Sequence, residues 1–152
     1  MRTAIISEMS ETTWAEATLS GLLAKGLRQG GARRAIVEAL GEQNCCLTAQ
    51  ELLDQVRASE RNVGIASVYR ILDLLVGEGY VQKIELGSGV WRYEPIQPGG
   101  DHHHHLVCDS CGKVEPFEDN GLERALGRVE QNSGYDVSLH DVVLHGACED
   151  CR

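Results

Sequence analysis

The stretch "ASVYRILDLLVGEGYVQKIELGSGVWRYEP", residues 66–95, decides the fold of the first half of this chain. Its opening part sets Val68, Ile71, Leu72 and Leu75 at helical spacing, one apolar stripe on a 3.6-residue period. The pattern stops at Gly77 or Gly79, a helix C-terminus. Two short strands follow around Gly87–Ser88–Gly89, a hairpin signal. A helix that runs straight into a hairpin is the closing half of a winged helix, provided helices precede it.

They do. "WAEATLSGLLAKGLRQGG" has a helical pattern ending in glycines, and "ARRAIVEALG" puts Ile36, Val37 and Leu40 on one face before Gly41. "TAQELLDQVRAS" opens with a capping box, Thr48 with Glu51 three residues on, and buries Leu52, Leu53 and Val56. In a winged helix the third helix enters the major groove and the hairpin flanks the backbone. With Val68, Ile71 and Leu75 inward, Ser67, Tyr69, Arg70 and Asp73 lie off the core face. Ser, Tyr and Arg can contact phosphates, and Arg can read guanine. The rival reading is an ordinary three-helix unit with Tyr69 and Arg70 as plain surface residues; the pattern alone leaves both open.

The chain has 152 residues, enough for one domain or two small ones. Aromatics are only 5%, so the core must rest on Leu, Val, Ile and Ala. No apolar run approaches the ~20 residues that span a bilayer. The opening "MRTAIISEMSETTW" lacks the apolar stretch of a signal peptide. The expectation is a cytoplasmic protein without a membrane partner. In that reducing compartment six cysteines point to metal or redox chemistry in place of disulfides.

The net charge of −9 argues at first against nucleic acid. Its distribution softens that. Residues 1–95 hold 10 Lys+Arg against 12 Asp+Glu, and residues 96–152 hold 4 against 11. The excess acid lies beside the histidines and cysteines, where a bound cation would offset it.

The character changes at "EPIQPGGD", residues 94–101, a turn-rich hinge. The expected division is a winged-helix DNA-binding domain over 1–95, a hinge over 96–101 and a metal-binding domain over 102–152. In the last, "HLVCDSCGKVEPF" reads as a strand pair with a knuckle. "NGLERALGRVEQNSG" reads as a helix with Leu122, Leu126 and Val129 inward. Alternation of Val137, Leu139, Asp141 and Val143 predicts a late strand. The whole is α+β, a winged helix followed by a small α/β unit.

Two Cys-x-x-Cys knuckles, Cys108 with Cys111 and Cys148 with Cys151, are the strongest chemical signal. Four thiolates complete a tetrahedral zinc shell with no open position, so this site is structural. Two independent redox pairs are the rival. Between the halves lies "HHHHLVCDSCGK", residues 102–113. If residues 102–105 are extended, alternate side chains face opposite ways. His102 and His104 then serve one site and His103 and His105 another. Glu123, His140, Cys46 and Glu94 are available to complete them.

Three pieces, "GIASVYRILDLLVGEGYV", "HHHHLVCDSCGKV" and the closing "CEDC", stand in the order of the ferric uptake regulator (Fur) family of metal-responsive repressors, which the chain resembles over nearly its whole length. The resemblance implies a homodimer with a C-terminal dimerisation domain and metal-dependent binding to palindromic double-stranded operator DNA. It implies no enzyme. It maps structural Zn²⁺ to Cys108, Cys111, Cys148 and Cys151. It maps a regulatory Zn²⁺, Fe²⁺ or Mn²⁺ to Cys46, Glu94, His103 and His105, and a further site to His102, His104, Glu123 and His140. For DNA it implies Tyr69 and Arg70 with Ser67, Arg28 near the minor groove and Arg33 near the backbone. Arg57, Arg61 and Lys83 add basic charge.

The chain departs from the family where His is usual before "LTAQEL" and Cys46 stands instead. Thiolate is softer and favours zinc over ferrous iron or manganese. The family's further acidic ligand after "CGKV" is displaced to Glu115, and Gln82 and Glu94 stand where zinc-sensing actinobacterial relatives often have Asp and Cys. Two other classes compete: a zinc hydrolase or deaminase, against which stands the absence of HExxH and His-x-Glu patterns, and a zinc-stabilised interaction module with no DNA role.

Overall fold

The structure, a computed structural model, describes residues 12–60, 62–99 and 102–152. Arg61, residues 1–11 and residues 100–101, the end of the expected hinge, lie outside the described residues.

The N-terminal unit opens with α1 (Trp14–Ala24). The Thr13 hydroxyl accepts from the Glu16 N–H at 3.2 Å, and the Glu16 carboxylate accepts from the Thr13 N–H at 2.9 Å. This capping box satisfies amides that the first turn leaves free. After α2 (Gly31–Gly41) and β1 (Leu47–Thr48), Thr48 and Glu51 repeat the device at the start of α3 (Ala49–Val56). Next comes α4 (Ile65–Gly77), the helix read from the opening stretch. Gly79, at φ 77°, turns the chain into β2 (Val81–Glu85), which pairs antiparallel with β3 (Trp91–Pro95). The sheet order is β1-β3-β2. The β2–β3 turn needs positive φ at Gly87 and Gly89, and the Glu85 carboxylate holds it by accepting both N–H groups at 2.8 and 2.7 Å.

One core holds this unit. Leu22, Ile36, Val37, Leu40, Leu52, Val68, Leu72 and Leu75 are fully buried, with Tyr93 of β3 closing the layer. The stripe of α4 is therefore the stripe of the sequence, with Ile71 at its half-buried edge.

The C-terminal unit comprises β4 (His104–Cys108), β5 (Val114–Phe117), α5 (Asn120–Ser133) and β6 (Val143–Gly146). Its order is β5-β4-β6, with β4 antiparallel to β5 and parallel to β6. The central strand thus carries the histidines at one end and Cys108 at the other.

Two expectations are corrected here. The late strand begins only at Val143, because β6 pairs from His105↔Val143 onward and the preceding residues leave the sheet to bring His140 against Glu123. The apolar face of α5 is inward only in part: Leu122 and Leu126 are half-buried, none of its residues is fully buried, and Val129 is 62% exposed. A three-stranded sheet is too small to cover it. Tyr135 and Leu139 are likewise exposed, at 77% and 76%.

The segment between the sheets is partly anchored. Ile96 donates its N–H to the Tyr80 carbonyl at 2.9 Å, and its own carbonyl accepts from the Trp14 indole at 3.1 Å.

Candidate metal centres and nucleic-acid face

At the far end of β4, Cys108, Cys111, Cys148 and Cys151 place their sulfurs within 4.8 Å of one another, and none is in a disulfide. Gly112, at φ 76°, closes the first knuckle by donating to the Cys108 carbonyl at 2.8 Å. The second closes with the Cys151 N–H on the Cys148 carbonyl at 3.0 Å. The Cys148 N–H donates to Cys108 Sγ at 3.4 Å, and this bond with that of the Cys111 N–H brings the Cys108 thiol down to about 6. A stabilised thiolate among three other sulfurs fits a structural zinc ion.

The pleat at the other end of β4 separates the histidines. His102 and His104 face Glu123 of α5 and His140, and the four offer ligand atoms within 4.8 Å of one another. Glu123 bridges them, with Oε1 at 2.7 Å from His104 Nε2 and Oε2 at 3.0 Å from His140 Nε2. His102 Nε2 lies 2.9 Å from His140 Nε2. The hydrogen bond to His104, joined by the charge of the neighbouring imidazoles, holds the Glu123 carboxyl below its ordinary value.

His103 and His105 face the other way, into the seam between the units. There they meet Glu94 of β3 and Cys45 of the loop after α2, again within 4.8 Å. Glu94 and His105 are 4% and 2% exposed. Glu94 Oε1, His103 Nε2 and both ring nitrogens of His105 are buried without a hydrogen-bond partner, although Glu94 Oε1 touches His103 Nε2 and stands 3.6 Å from His105 Nε2. Buried polar atoms left unmatched are costly. Glu94, His103 and one nitrogen of His105, converging with a thiol, are what a divalent cation would satisfy. Burial lowers the His105 pKa, but the adjoining Cys45 and Glu94 outweigh it and raise the ring to about 10. Burial opposes ionisation of Glu94 too, yet the adjoining His105 and the Gln82 amide leave its carboxyl below the ordinary value.

The thiol in this group is Cys45, and the assignment of Cys46 is corrected. Cys46 is 6% exposed behind its neighbour, with the two sulfurs 3.7 Å apart. Cys46 is not among the four residues whose ligand atoms converge. Glu115 does not approach the cluster either. It sits on β5 paired to Lys113 at 2.7 Å, on the residue that register sets opposite Leu106.

On the N-terminal unit, Tyr69 is 47% exposed on α4, and Arg70 projects beside it with Nη2 donating to Ser67 Oγ at 3.1 Å. Arg28 is exposed before α2, while Arg33 is half-buried and donates Nη1 to the Arg28 carbonyl. Arg33 therefore shapes the Arg28 loop. Arg57 is turned back to the Val63 carbonyl at 3.3 Å. Lys83 lies 4.5 Å over the exposed Trp91 ring at the base of the hairpin. A cleft of about 540 Å³ separates α4 from that hairpin.

The family model described as the ferric uptake regulator family matches residues 24–145. The chain belongs to the ferric uptake regulator family. It is 36% identical over 107 residues to the ferric uptake regulation protein of Bacillus subtilis, covering 70% of this chain and 72% of that protein. It is 34% identical to that of Campylobacter jejuni, covering 84% and 85%. Among solved structures, the Helicobacter pylori ferric uptake regulator Fur, whose structure reveals three functional metal-binding sites, superposes with a TM-score of 0.79 at 27% identity, over 94% of this chain and 97% of that one.

As a Fur-family member the chain is a metal-responsive transcriptional regulator and not an enzyme. Its α+β architecture is that of its structural neighbours, and the chain has a four-cysteine cluster near its C-terminus. Among the described residues, no helix is long and apolar enough to cross a membrane.

The sequence reading missed two residues of the seam. Cys45 stood beside the assigned thiol with nothing in the spacing to separate them. Gln82 was noted only as a departure from relatives, yet its amide donates to Glu94 Oε2 at 2.6 Å. Strand pairing would have found it, since Gln82 and Glu94 are direct cross-strand partners.

Proposed function

We propose that this Fur-family chain is a transcriptional repressor that binds palindromic operator DNA as a homodimer when its interdomain site is loaded. The observation that carries the reading is the origin of the four ligands: Cys45 and Glu94 come from the winged-helix unit, His103 and His105 from β4. By holding one cation between them, these side chains would join the two units at one angle. Two copies of α4 could then enter successive major grooves, about 34–36 Å apart. With the site empty the units sample other angles, and affinity falls with the competent fraction.

The ion supplies the positive charge that the buried carboxylate and thiolate lack. Zinc is favoured for this site because the set includes a thiolate; ferrous iron and manganese are the alternatives. Structural zinc belongs to the four cysteines. The His102, His104, Glu123 and His140 set would take a further ion within the C-terminal unit. Three clusters here match in number the three functional sites of the Helicobacter pylori relative.

Residues 1–95 form the DNA-binding domain and 102–152 the dimerisation domain, with 96–101 the hinge between them. Ile96, the first hinge residue, is held on both sides by the first domain. The partly uncovered apolar face of α5 and the exposed Tyr135 and Leu139 supply a surface for a second copy. Tyr69 and Arg70, with Ser67 near them, would read the DNA, Arg28 would lie near the minor groove and Arg33 near the backbone. A reducing cytoplasm suits thiols that must stay free. The test is operator binding by gel shift as zinc, ferrous iron or manganese is titrated into protein whose four-cysteine site is already filled. Binding independent of every metal would refute the reading.

A further inference from the structure

We infer that Cys45 is a site of reversible oxidation by hydroperoxides, with Cys46 as its resolving thiol, so that oxidation empties the interdomain metal site. This rests on the reading of Cys45 as a ligand of the regulatory metal.

Two geometric facts divide the roles. Cys45 lines a cavity of about 380 Å³ with Asn44, Gln82, Glu94 and His103, so a small solute can reach its sulfur. Cys46 is absent from that lining and 6% exposed, yet its sulfur stands 3.7 Å from that of Cys45. The accessible thiol has an inaccessible thiol directly behind it.

The chemistry of the pocket agrees. Cys45 is the sulfur grouped with the His103 and His105 imidazoles, while Cys46 lies outside that group. Thiolate character and exposure are what make a cysteine oxidisable.

The steps balance. Cys45 thiolate attacks one oxygen of a hydroperoxide; the O–O bond breaks, an S–O bond forms, and the departing oxygen leaves as water or alcohol once protonated. Cys46 then attacks the Cys45 sulfur. The S–S bond forms, the S–O bond breaks, and hydroxide leaves as water with the Cys46 proton. Two thiols have lost two electrons and two protons, and the peroxide has been reduced by two electrons. Neighbouring Cα atoms are about 3.8 Å apart, below the usual lower bound of about 4.4 Å for a disulfide. The ring closed by two adjacent cysteines is therefore strained, and a strained disulfide is readily reduced.

A disulfide sulfur is no longer a thiolate ligand, so three donors remain where four stood. Conversely, metal at the site occupies the sulfur lone pair that peroxide needs. Metal and oxidant compete for one atom.

No Lys or Arg lies between Arg34 and Arg57, so trypsin releases both thiols on one peptide apart from the four knuckle cysteines. The experiment treats protein with zinc in the four-cysteine site and the interdomain site emptied by a mild chelator with hydrogen peroxide. Mass spectrometry then reads the 35–57 peptide. The expected result is a peptide lighter by two hydrogens, restored by dithiothreitol and suppressed by prior zinc loading, with the oxidised chain failing to rebind its interdomain metal. In Cys46→Ser the product becomes a dimedone-trappable sulfenic acid at Cys45; in Cys45→Ser, Cys46 stays unmodified. A reduced 35–57 peptide under conditions that oxidise free thiols overturns the proposal. So does oxidation of Cys46 in Cys45→Ser at the wild-type rate, or full retention of interdomain metal by the disulfide form. The mass readout does not depend on DNA binding, so failure of the repressor reading would be seen separately in the gel shift.

Discussion

Gln82 donates its side-chain amide to Glu94 Oε2 across the β2–β3 pair, leaving Glu94 Oε1 turned to His103 and His105. One carboxylate oxygen is fixed by the sheet and the other is presented to the metal seam. Partners that orient a ligand are typically worth 10–100-fold in metal affinity (roughly). Gln82→Leu is therefore expected to weaken interdomain zinc binding by about that factor. Competition with a chromogenic chelator measures it, and the four-cysteine zinc should be unaffected.

The two adjacent cysteines should separate cleanly. Cys45→Ser replaces the soft ligand by a hydroxyl and should erase the preference for zinc over manganese at the interdomain site. Cys46→Ser changes a buried thiol behind that site and should leave the preference in place. Metal-by-metal titration of the two variants decides which sulfur binds. Identical behaviour would restore Cys46 as a ligand.

In the metal-free chain Cys45 and His105 form a charged pair whose members shift oppositely. His105, raised from 6.5 to about 10, stabilises the fold fully below 6.5 and loses that contribution as pH rises to about 10. Cys45, lowered from 9.0 to about 4, stabilises fully above 9.0 and loses its contribution as pH falls to about 4. The pair therefore contributes most between these ordinary values and less on either side. Urea midpoints of metal-free wild type minus Cys45→Ser should show a plateau over pH 6.5–9.0, declining toward 4 and toward 10. A difference that grows toward acid would contradict the pairing.

Removing one knuckle thiol should act on the fold. Cys151→Ser leaves three sulfurs at the end of β4 and frees the last residues of the chain. The expected outcome is loss of chelator-resistant zinc and loss of amide protection in β4 and β6, with the winged-helix core, built around Leu72 and Ile36, still protected. Hydrogen exchange resolves the two units.

Arg70→Ala should abolish specific operator binding while metal content stays at the wild-type level. Arg70 stands exposed on α4 with a side-chain bond to Ser67, and among the described residues no metal cluster includes it. Gel shift and metal analysis on the same preparation check both halves. Loss of zinc in this variant would break the division of labour between the units.

Much of this was legible in the residues. The stripe of α4, the Thr48–Glu51 capping box and the Gly87–Gly89 turn are local rules, and each element stands where its pattern put it. The split of the four histidines followed from strand alternation alone, since β4 is extended from His104 and its pleat decides the faces. What was not legible depends on partners far along the chain. Choosing Cys45 over Cys46 needs the direction of a bend, which neither residue type encodes. The failure at residues 137–142 has the same origin: alternation marks apolar faces, but β4 offers pairing only from His105↔Val143 onward. The α5 stripe was read correctly as apolar and wrongly as wholly inward, because a sequence shows that a face wants cover without saying which chain provides it.

The most direct test of the central claim is an operator-binding titration of wild type and Glu94→Gln, both carrying their four-cysteine zinc, with the interdomain metal varied. The account predicts that metal tightens wild-type binding by roughly 5–150-fold, the usual size of such coupling, and has no such effect on Glu94→Gln. Operator binding by Glu94→Gln that responds to metal as the wild type does would contradict it.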